Sequence, residues 1–376
     1  MLKVLEVNVD DIGNGGVYSL VKSIIINNSE EIKLDIAAYE KFEREENVKE
    51  LKQYNSDVYY VGYEGNKAIK LYMIYKNIKS LLNLNTYDCV HIHGDLSFKL
   101  YVAAKAAREA EVERIILHAH ASGVDGNGRK IKKALHILFR DRLRRYGTTF
   151  VSCSDLASEW MFPSIEREKI IKINNGINLE LFRFKKEIRK SIRKTLVHQE
   201  DVFLVGHVGR FSFVKNHDYI IEVFSYVATK IPNARLLLIG EGNLKETIEN
   251  KVKSSHLEDK VIFYGISSNV NELLQAMDVF LLPSFSEGFP IVGVEAQATG
   301  LPVIFSDVIT REAALIDRVE FFPIDIASID KWGEEIISVY KHPANEQFRE
   351  NAYVTLKRKK YDLSDVTNSF YELYKK

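Results

Sequence analysis

Short runs of β-branched and aromatic residues recur along this chain, each followed by a stretch with helical spacing, and the whole pattern occurs twice. KVLEVNV, KLDIAAY, DVYYVG, YDCVHIH, RIILHAH and TTFVSCS make the first series; VFLVGHVG, ARLLLIG, KVIFYG, MDVFLLPS and LPVIFS make the second. Continuous apolar runs separated by helices predict parallel strands buried on both faces. Two such series predict two doubly wound α/β domains. The length agrees: 376 residues exceed one ordinary core and suit two domains of about 150–200 residues each.

The boundary is expected between Asn175 and Thr195, where the strand-like KIIKI ends in NNGIN and the charged RFKKEIRKSIRKTL precedes the second series. The expected division is residues 1–180, 181–360 and a final helix within 361–376. The sequence leaves open which domain that helix packs on; a return to the N-terminal domain is one option.

Hydrophobic content of 46% with 28% charged residues describes a soluble globular chain. A formal net charge of zero predicts no nucleic-acid partner. Cys89 and Cys153 have neither zinc-site nor disulfide-framework spacing, so a reducing cytosol is expected. The opening MLKVLEVNVDD has no apolar signal core, and no apolar run approaches the ~20 residues of a membrane span. The expected location is cytoplasmic, with any membrane contact peripheral and on the inner face of the plasma membrane.

In open α/β sheets, ligands bind beyond the carboxyl ends of the strands. After the first strand, DDIGNGGVYS supplies Gly13, Gly15 and Gly16, which let backbone approach a ligand and open a helix whose N–H groups suit an anion. It is not the dinucleotide fingerprint, because Tyr18 takes the place of the third glycine, so a dehydrogenase is not expected. An ordinary glycine turn remains the alternative. His93 ends HIHG, and His118 and His120 lie in HAHASG. Strand-end histidines are expected to face the space between domains, where a neutral ring bonds a sugar hydroxyl and a protonated one offsets phosphate. Each could equally be a satisfied structural histidine. No Cys/His/carboxylate spacing matches a metal site.

GHVGRFSFVKNHD places Arg210 and Lys215 five apart in the loop opening the second series, with Asn216 as a candidate N-cap. A charge-assisted contact from each cation to a diphosphate is worth about 1.5–3 kcal/mol. GEGN, from Gly240 and Glu241, and YGISSNV, with Gly265 and Ile266, are small-residue loops that could admit a flat base.

The densest signal is SFSEGFPIVGVEAQATGLPV, where seven residues separate Glu287 from Glu295. Pro290 suits the first helical position, and the expected helix Ile291 to Thr299 begins with unpaired N–H groups from about Phe289 to Gly293. Glu287 at ~4 Å from a phosphate would repel it by about 4 kcal/mol at an effective dielectric of about 20. It should therefore face past the phosphate, toward neutral hydroxyls. Glu295 is the one charge in IVGVEAQATG, and a lone carboxylate in an apolar helix is costly unless paired. A ribose diol would pair it. The competing readings are a capping carboxylate and a solvated helix residue.

Together these residues resemble the retaining glycosyltransferases of family 4, on the GT-B fold of two Rossmann-like domains facing a central cleft. The motifs carrying the resemblance are SEGFP…VEAQATGLPV, GRF…K, GEG and NGIN-x-x-x-F, with GGVYS and the strand-end histidine fitting less closely. HIHGD…HAHASG…VSCSDLASEWMF is similar to capsular and exopolysaccharide assembly enzymes. The resemblance implies a nucleotide-diphosphate sugar, with uridine favoured, as donor co-substrate and no cofactor or metal. It implies a glycan or polyprenyl-linked acceptor. It implies a catalytic set of Glu287, His120, Arg210 and Lys215. Donor contacts would come from Glu295, Gly15, Gly16, Gly288, Phe289, Pro290, Ile291, Gly240, Glu241, Gly265 and Ile266. His118, His93 and Asn175 are secondary candidates. Family members often read NGVD where this chain has Asn175–Gly176–Ile177–Asn178, which removes an ionic role at Asn178.

No D-x-D occurs, so cations and helix N-termini are expected to neutralise the leaving group. A sugar-nucleotide epimerase or hydrolase of the same fold, and a non-catalytic partner of another transferase, are the rival readings. Finally, Gly128 to Tyr146 carries eight Lys/Arg and one Asp, with Ile131, Leu135, Leu138 and Tyr146 near one helical face. That is the pattern of a basic amphipathic helix, Arg129 to Arg145, on an anionic membrane. The alternative is an apolar stripe packed on the chain's own sheet.

Overall fold

The structure, a computed structural model, describes residues 1–12, 16–27, 31–124, 128–197 and 201–376. The chain forms two compact units: Met1–Gly176 together with Leu363–Lys376, and Ile177–Asp362.

The first unit holds a seven-stranded parallel sheet. Its strands are β1 (Leu2–Val7), β2 (Ile32–Ala38), β3 (Val58–Tyr60), β4 (Cys89–Gly94), β5 (Arg114–Ala119), β6 (Thr149–Ser152) and β7 (Ile170–Lys172). Their order is β3-β2-β1-β4-β5-β6-β7, so the winding reverses between β1 and β4. Val4, Leu5 and Val7 are fully buried, as a central strand covered on both faces requires. The core gathers Val4, Val21, Ile24, Ile36 and Ile116 with Phe370 and Tyr374 of the last helix, Leu363–Lys375. The chain therefore leaves this unit at Gly176 and returns to it after Asp362. Burying Phe370 contributes about 1.5–3 kcal/mol, which fixes the helix on the sheet.

The second unit holds a six-stranded parallel sheet: β8 (Phe203–Val208), β9 (Ala234–Ile239), β10 (Val261–Gly265), β11 (Val279–Leu282), β12 (Val303–Ser306) and β13 (Val319–Phe322). The order β10-β9-β8-β11-β12-β13 reverses between β8 and β11. Val205, Phe224, Leu236, Leu281 and Trp332 lie in its core, and Trp332 Nε1 donates to Pro323 O at 2.9 Å. β13 has no counterpart in the sequence reading. It is a four-residue edge strand with Glu320 exposed, so it lacks the continuous apolar run of the others.

The basic stretch departs from expectation. It is not one helix from Gly128 to Tyr146: the helix is Arg129–Arg140, the chain turns at Asp141–Arg142, and Leu143–Arg145 is a separate 3-10 turn.

Candidate functional site

In the second unit, the site is built where the winding reverses, from the loops that follow β8 and β11. Gly209 N–H donates to Ile239 O and Phe211 N–H to Glu241 O, while Gly240 N–H donates to Gly265 O. The ends of β8, β9 and β10 are thus stitched into one layer. Gly240 has φ of 138°, and a Cβ there would sit 2.2 Å from Gly209 O, so only glycine allows this approach. Glu241 pairs with Lys245 at 2.7 Å, and Ile266 is exposed.

Phe285 N–H donates to Val214 O at 2.8 Å, and the Phe213 and Phe285 rings stack at 4.7 Å, joining the β8 and β11 loops. Across that join Lys215 Nζ meets Glu287 Oε1 at 2.6 Å, and Ser284 Oγ donates to the same oxygen at 2.7 Å. Both partners are largely buried, so solvent screens the pair less than a surface bridge. Lys215, the expected phosphate contact, and Glu287, expected to face past the phosphate, form an ion pair with each other. Arg210 is exposed and has no ion-pair or hydrogen-bond partner for its side chain among the described residues. It is the uncompensated cation of the pair picked from the sequence. Asn216 occupies the N-cap position of the helix His217–Lys230 in the left-handed region, with φ of 54°. Its side chain makes no capping bond, contrary to the reading of Asn216 as a side-chain cap.

The helix Ile291–Ala298 starts one residue later than the proline placement assumed: Pro290 is its N-cap, not its first helical residue, and Thr299 is its C-cap. Pro290 O accepts from Gly293 and Val294, so the run of unpaired amides expected to reach Gly293 is shorter. Ile291 and Val292 keep backbone N–H groups with no partner among the described residues. Phe289 is buried against Tyr361, ring centroids 5.8 Å apart, beside Gly288.

Two polar side chains in this helix behave differently. Gln297 is fully buried and fully satisfied: Nε2 donates to Gly293 O and Ala313 O, and Oε1 accepts from Leu315 and Ile316 N–H. Glu295 has no side-chain hydrogen bond or ion pair among the described residues, and burial pushes its carboxyl up to about 7. A half-buried carboxylate without a partner is an unmet acceptor. Beneath the loops, His207 and His217 are buried, unforeseen from the sequence. His207 Nδ1 is 2.8 Å from Leu281 O, and the His217 ring stacks on Phe211 at 4.0 Å. Burial lowers the pKa of both.

In the first unit the reversal lies between β1 and β4, and there the histidines meet a carboxylate. Glu6 of β1 is fully buried. Its Oε2 lies 2.7 Å from His93 Nε2 and 3.1 Å from His91 Nδ1, and Tyr374 donates its hydroxyl to Oε1 at 2.5 Å. Burial alone would raise this carboxyl; the charge and hydrogen bonds of His91, followed by those of His93, outweigh burial and hold it well below the usual range. His93 Nδ1 is 2.8 Å from His120 Nε2, and His91 Nε2 is 3.2 Å from His118 Nδ1. Burial is the main cause that holds His93 at about 4 and His118 and His120 well below the normal histidine value. His93 and His118 do not face an open space as expected: both are buried, and only His120 is partly exposed. A protonated, phosphate-compensating role does not suit rings so strongly desolvated.

His91, His93 and His118 form the one ligand-like grouping of His, Cys, Asp or Glu among the described residues, with ring nitrogens within 4.8 Å of one another. These rings bond each other, Glu6 and His120, leaving His118 Nε2 without a partner. Gly16 begins the helix Gly16–Ile26, Gly15 lies outside the described residues, and Asn175 is buried. Cys89 and Cys153 are buried.

The basic helix Arg129–Arg140 is anchored by a polar residue, not by its apolar stripe. His136 is its one buried residue; its Nδ1 accepts from Ser97 N–H at 3.0 Å, and its ring stacks on Trp160 at 4.0 Å. Ile131 is 71% exposed and Leu138 53%, while Leu135 is half-buried. The stripe therefore stands beside the Lys and Arg side chains instead of packing wholly inward. No helix of the described residues is long and apolar enough to cross a membrane.

Residues 188–355 match the family described as Glycosyl transferases group 1. A Bacillus subtilis (strain 168) protein named Putative glycosyltransferase EpsF is 31% identical over 308 residues, 80% of this chain and 78% of that protein. An Escherichia coli enzyme named UDP-Gal:alpha-D-GlcNAc-diphosphoundecaprenol alpha-1,3-galactosyltransferase is 28% identical over 278 residues, 70% of each. Among solved structures, Anabaena HepE in complex with UDP-glucose matches with a TM-score of 0.79 at 16% identity, covering 99% of each chain. That likeness identifies the fold as GT-B. With a relative as similar as EpsF across most of both chains, this chain belongs to the group 1 glycosyl transferases and is a glycosyltransferase.

Proposed function

We propose that this glycosyltransferase moves a hexose or N-acetylhexosamine from a UDP-sugar to a glycan or polyprenyl-linked acceptor, with retention, in bacterial capsular or exopolysaccharide assembly. The observation that carries the donor reading is Glu295: a carboxylate without a side-chain partner among the described residues, in an apolar helix, at the switch point of the sheet. A ribose diol supplies the two donors it lacks. The diphosphate goes to Arg210 and to Lys215, which would then be shared between phosphate and Glu287. The free amides of Ile291 and Val292 add the helix N-terminus to the same charge. Glu241, Gly265 and Ile266 lie beside this layer and suit the base. UDP is favoured because HepE was solved with UDP-glucose and the E. coli relative's name specifies a UDP-galactose donor.

The leaving phosphate is neutralised by side chains and amides, so metal is not required. The acceptor attacks from the face the phosphate leaves, and a phosphate oxygen takes the acceptor proton. Glu287 contacts hydroxyls of the transferred sugar. His120 contacts a sugar hydroxyl. The exposed Ile131 and Leu138 with their neighbouring cations meet an anionic bilayer carrying the acceptor.

The test is product analysis with UDP-sugars and a GlcNAc-diphosphate-polyprenol acceptor. An α-linked product from an α-linked donor, formed undiminished with EDTA, is expected. An inverted product, or dependence on a divalent ion, contradicts the mechanism, and rapid donor breakdown without acceptor favours a hydrolase or epimerase.

A further inference from the structure

We propose that Glu6 and His93 are positioning residues that fix His120 as a hydrogen-bond acceptor at Nδ1, so that the first unit reads a neutral hydroxyl. This rests on the reading that His120 contacts the sugar. The assignment follows from the hydrogen-bond partners of a neutral His93. A carboxylate only accepts, so His93 Nε2, 2.7 Å from Glu6 Oε2, carries the proton and donates. A neutral imidazole has one N–H, so His93 Nδ1 is an acceptor. His120 Nε2, 2.8 Å away, must therefore be the donor. That leaves His120 Nδ1 as a bare lone pair, with no partner for it among the described residues, on the one partly exposed ring of the four.

Each link is held in place. Glu6 is kept ionised by its buried donors, with Tyr374 of the last helix on its other oxygen at 2.5 Å. His93 is kept neutral by burial. His120 N–H donates to Gly94 O at 3.0 Å, so its backbone is tied to the strand that carries His93. A lone pair repels phosphate and accepts from a hydroxyl, so the chain of bonds selects a sugar or acceptor O–H. Rotation of the ring would break the bond to His93.

The test is nitrogen-15 NMR of the full chain labelled at histidine, read at neutral pH. His120 is expected as a neutral ring protonated at Nε2 and bare at Nδ1. An Nδ1–H ring or an imidazolium in the wild-type protein overturns the proposal. His93→Leu removes the acceptor and is expected to give His120 mixed tautomers, while titration with UDP stays within about twofold of wild type. A single Nε2–H tautomer surviving in His93→Leu also overturns it. If that variant does not fold, the wild-type spectrum still decides. The spectrum needs no donor, so failure of the UDP-sugar reading leaves it readable, and UDP titration of wild type tests that reading separately.

Discussion

Two carboxylates in this molecule, the fully buried Glu6 and the half-buried Glu295, face opposite fates. Glu6, in the first unit, has Tyr374 and His93 on its oxygens and His91 beside them, and they hold it ionised. Glu295, in the second, has no side-chain partner among the described residues, and burial pushes it up to about 7. Both replace water with protein; only one receives donors in return. The satisfied carboxylate is a structural anchor that orients histidines. The unsatisfied one is the carboxylate proposed to take its donors from the ribose hydroxyls of the donor nucleotide.

The comparison breaks most sharply at Glu6. Glu6→Leu leaves His93 Nε2–H buried without its acceptor and removes the carboxylate that accepts from the Tyr374 hydroxyl, and an unsatisfied buried donor costs about 1–3 kcal/mol. Urea unfolding should show that loss; a change below 1 kcal/mol, by roughly the scale of a neutral surface substitution, would mean the network is not holding the unit together.

Arg210→Ala or Lys215→Ala should each remove one charge-assisted contact to the diphosphate, about 1.5–3 kcal/mol, and lower kcat/KM about 10- to 150-fold. Glu287→Ala should separate binding from transfer. It releases Lys215, so UDP alone should bind no more weakly while transfer falls. Weaker UDP binding in that variant would place the diphosphate away from Lys215.

Glu295→Gln sharpens the comparison through pH. The folded state takes up a proton at Glu295 between the usual carboxylate value of 4.5 and about 7, which the unfolded state does not. Stability from this group therefore falls as pH rises through that window, and the full penalty is present above 7. Glu295→Gln should unfold at higher urea than wild type at pH 8, and no higher at pH 4. Its UDP affinity should drop about tenfold at pH 8, one hydrogen bond to a charged group. Wild-type affinity should weaken as pH falls below 7, and the variant should lack that step. Smallest of all, Lys133→Ala should reduce binding to anionic vesicles about fivefold, near 1 kcal/mol per cation, and high salt should erase the difference.

The sheets were legible because both are parallel and buried, so each strand writes a continuous apolar run. β13 was not, because an edge strand with exposed Glu320 lacks one. Glu295 stood out as a lone charge in a helix of small apolar residues. Glu6 in KVLEVNV carries the same signal, but the sequence does not show what meets it, since its partners His91, His93 and Tyr374 are 85, 87 and 368 residues away. Aromatic Tyr374 in YELYKK reads as ordinary helix until the fold brings it to β1. The Lys215–Glu287 pair is hidden in the sequence for a related reason: 72 residues separate the two. The break at Asp141 lies in a stretch whose charge pattern suits a helix throughout, so periodicity gave no sign of it.

The most direct measurement is a crystal structure of the chain soaked with UDP. The expected result has the diphosphate within hydrogen-bonding distance of Arg210 and Lys215, and both ribose hydroxyls on the Glu295 carboxylate. UDP bound with Glu295 still unpartnered, or bound away from the loops that follow β8 and β11, would contradict it.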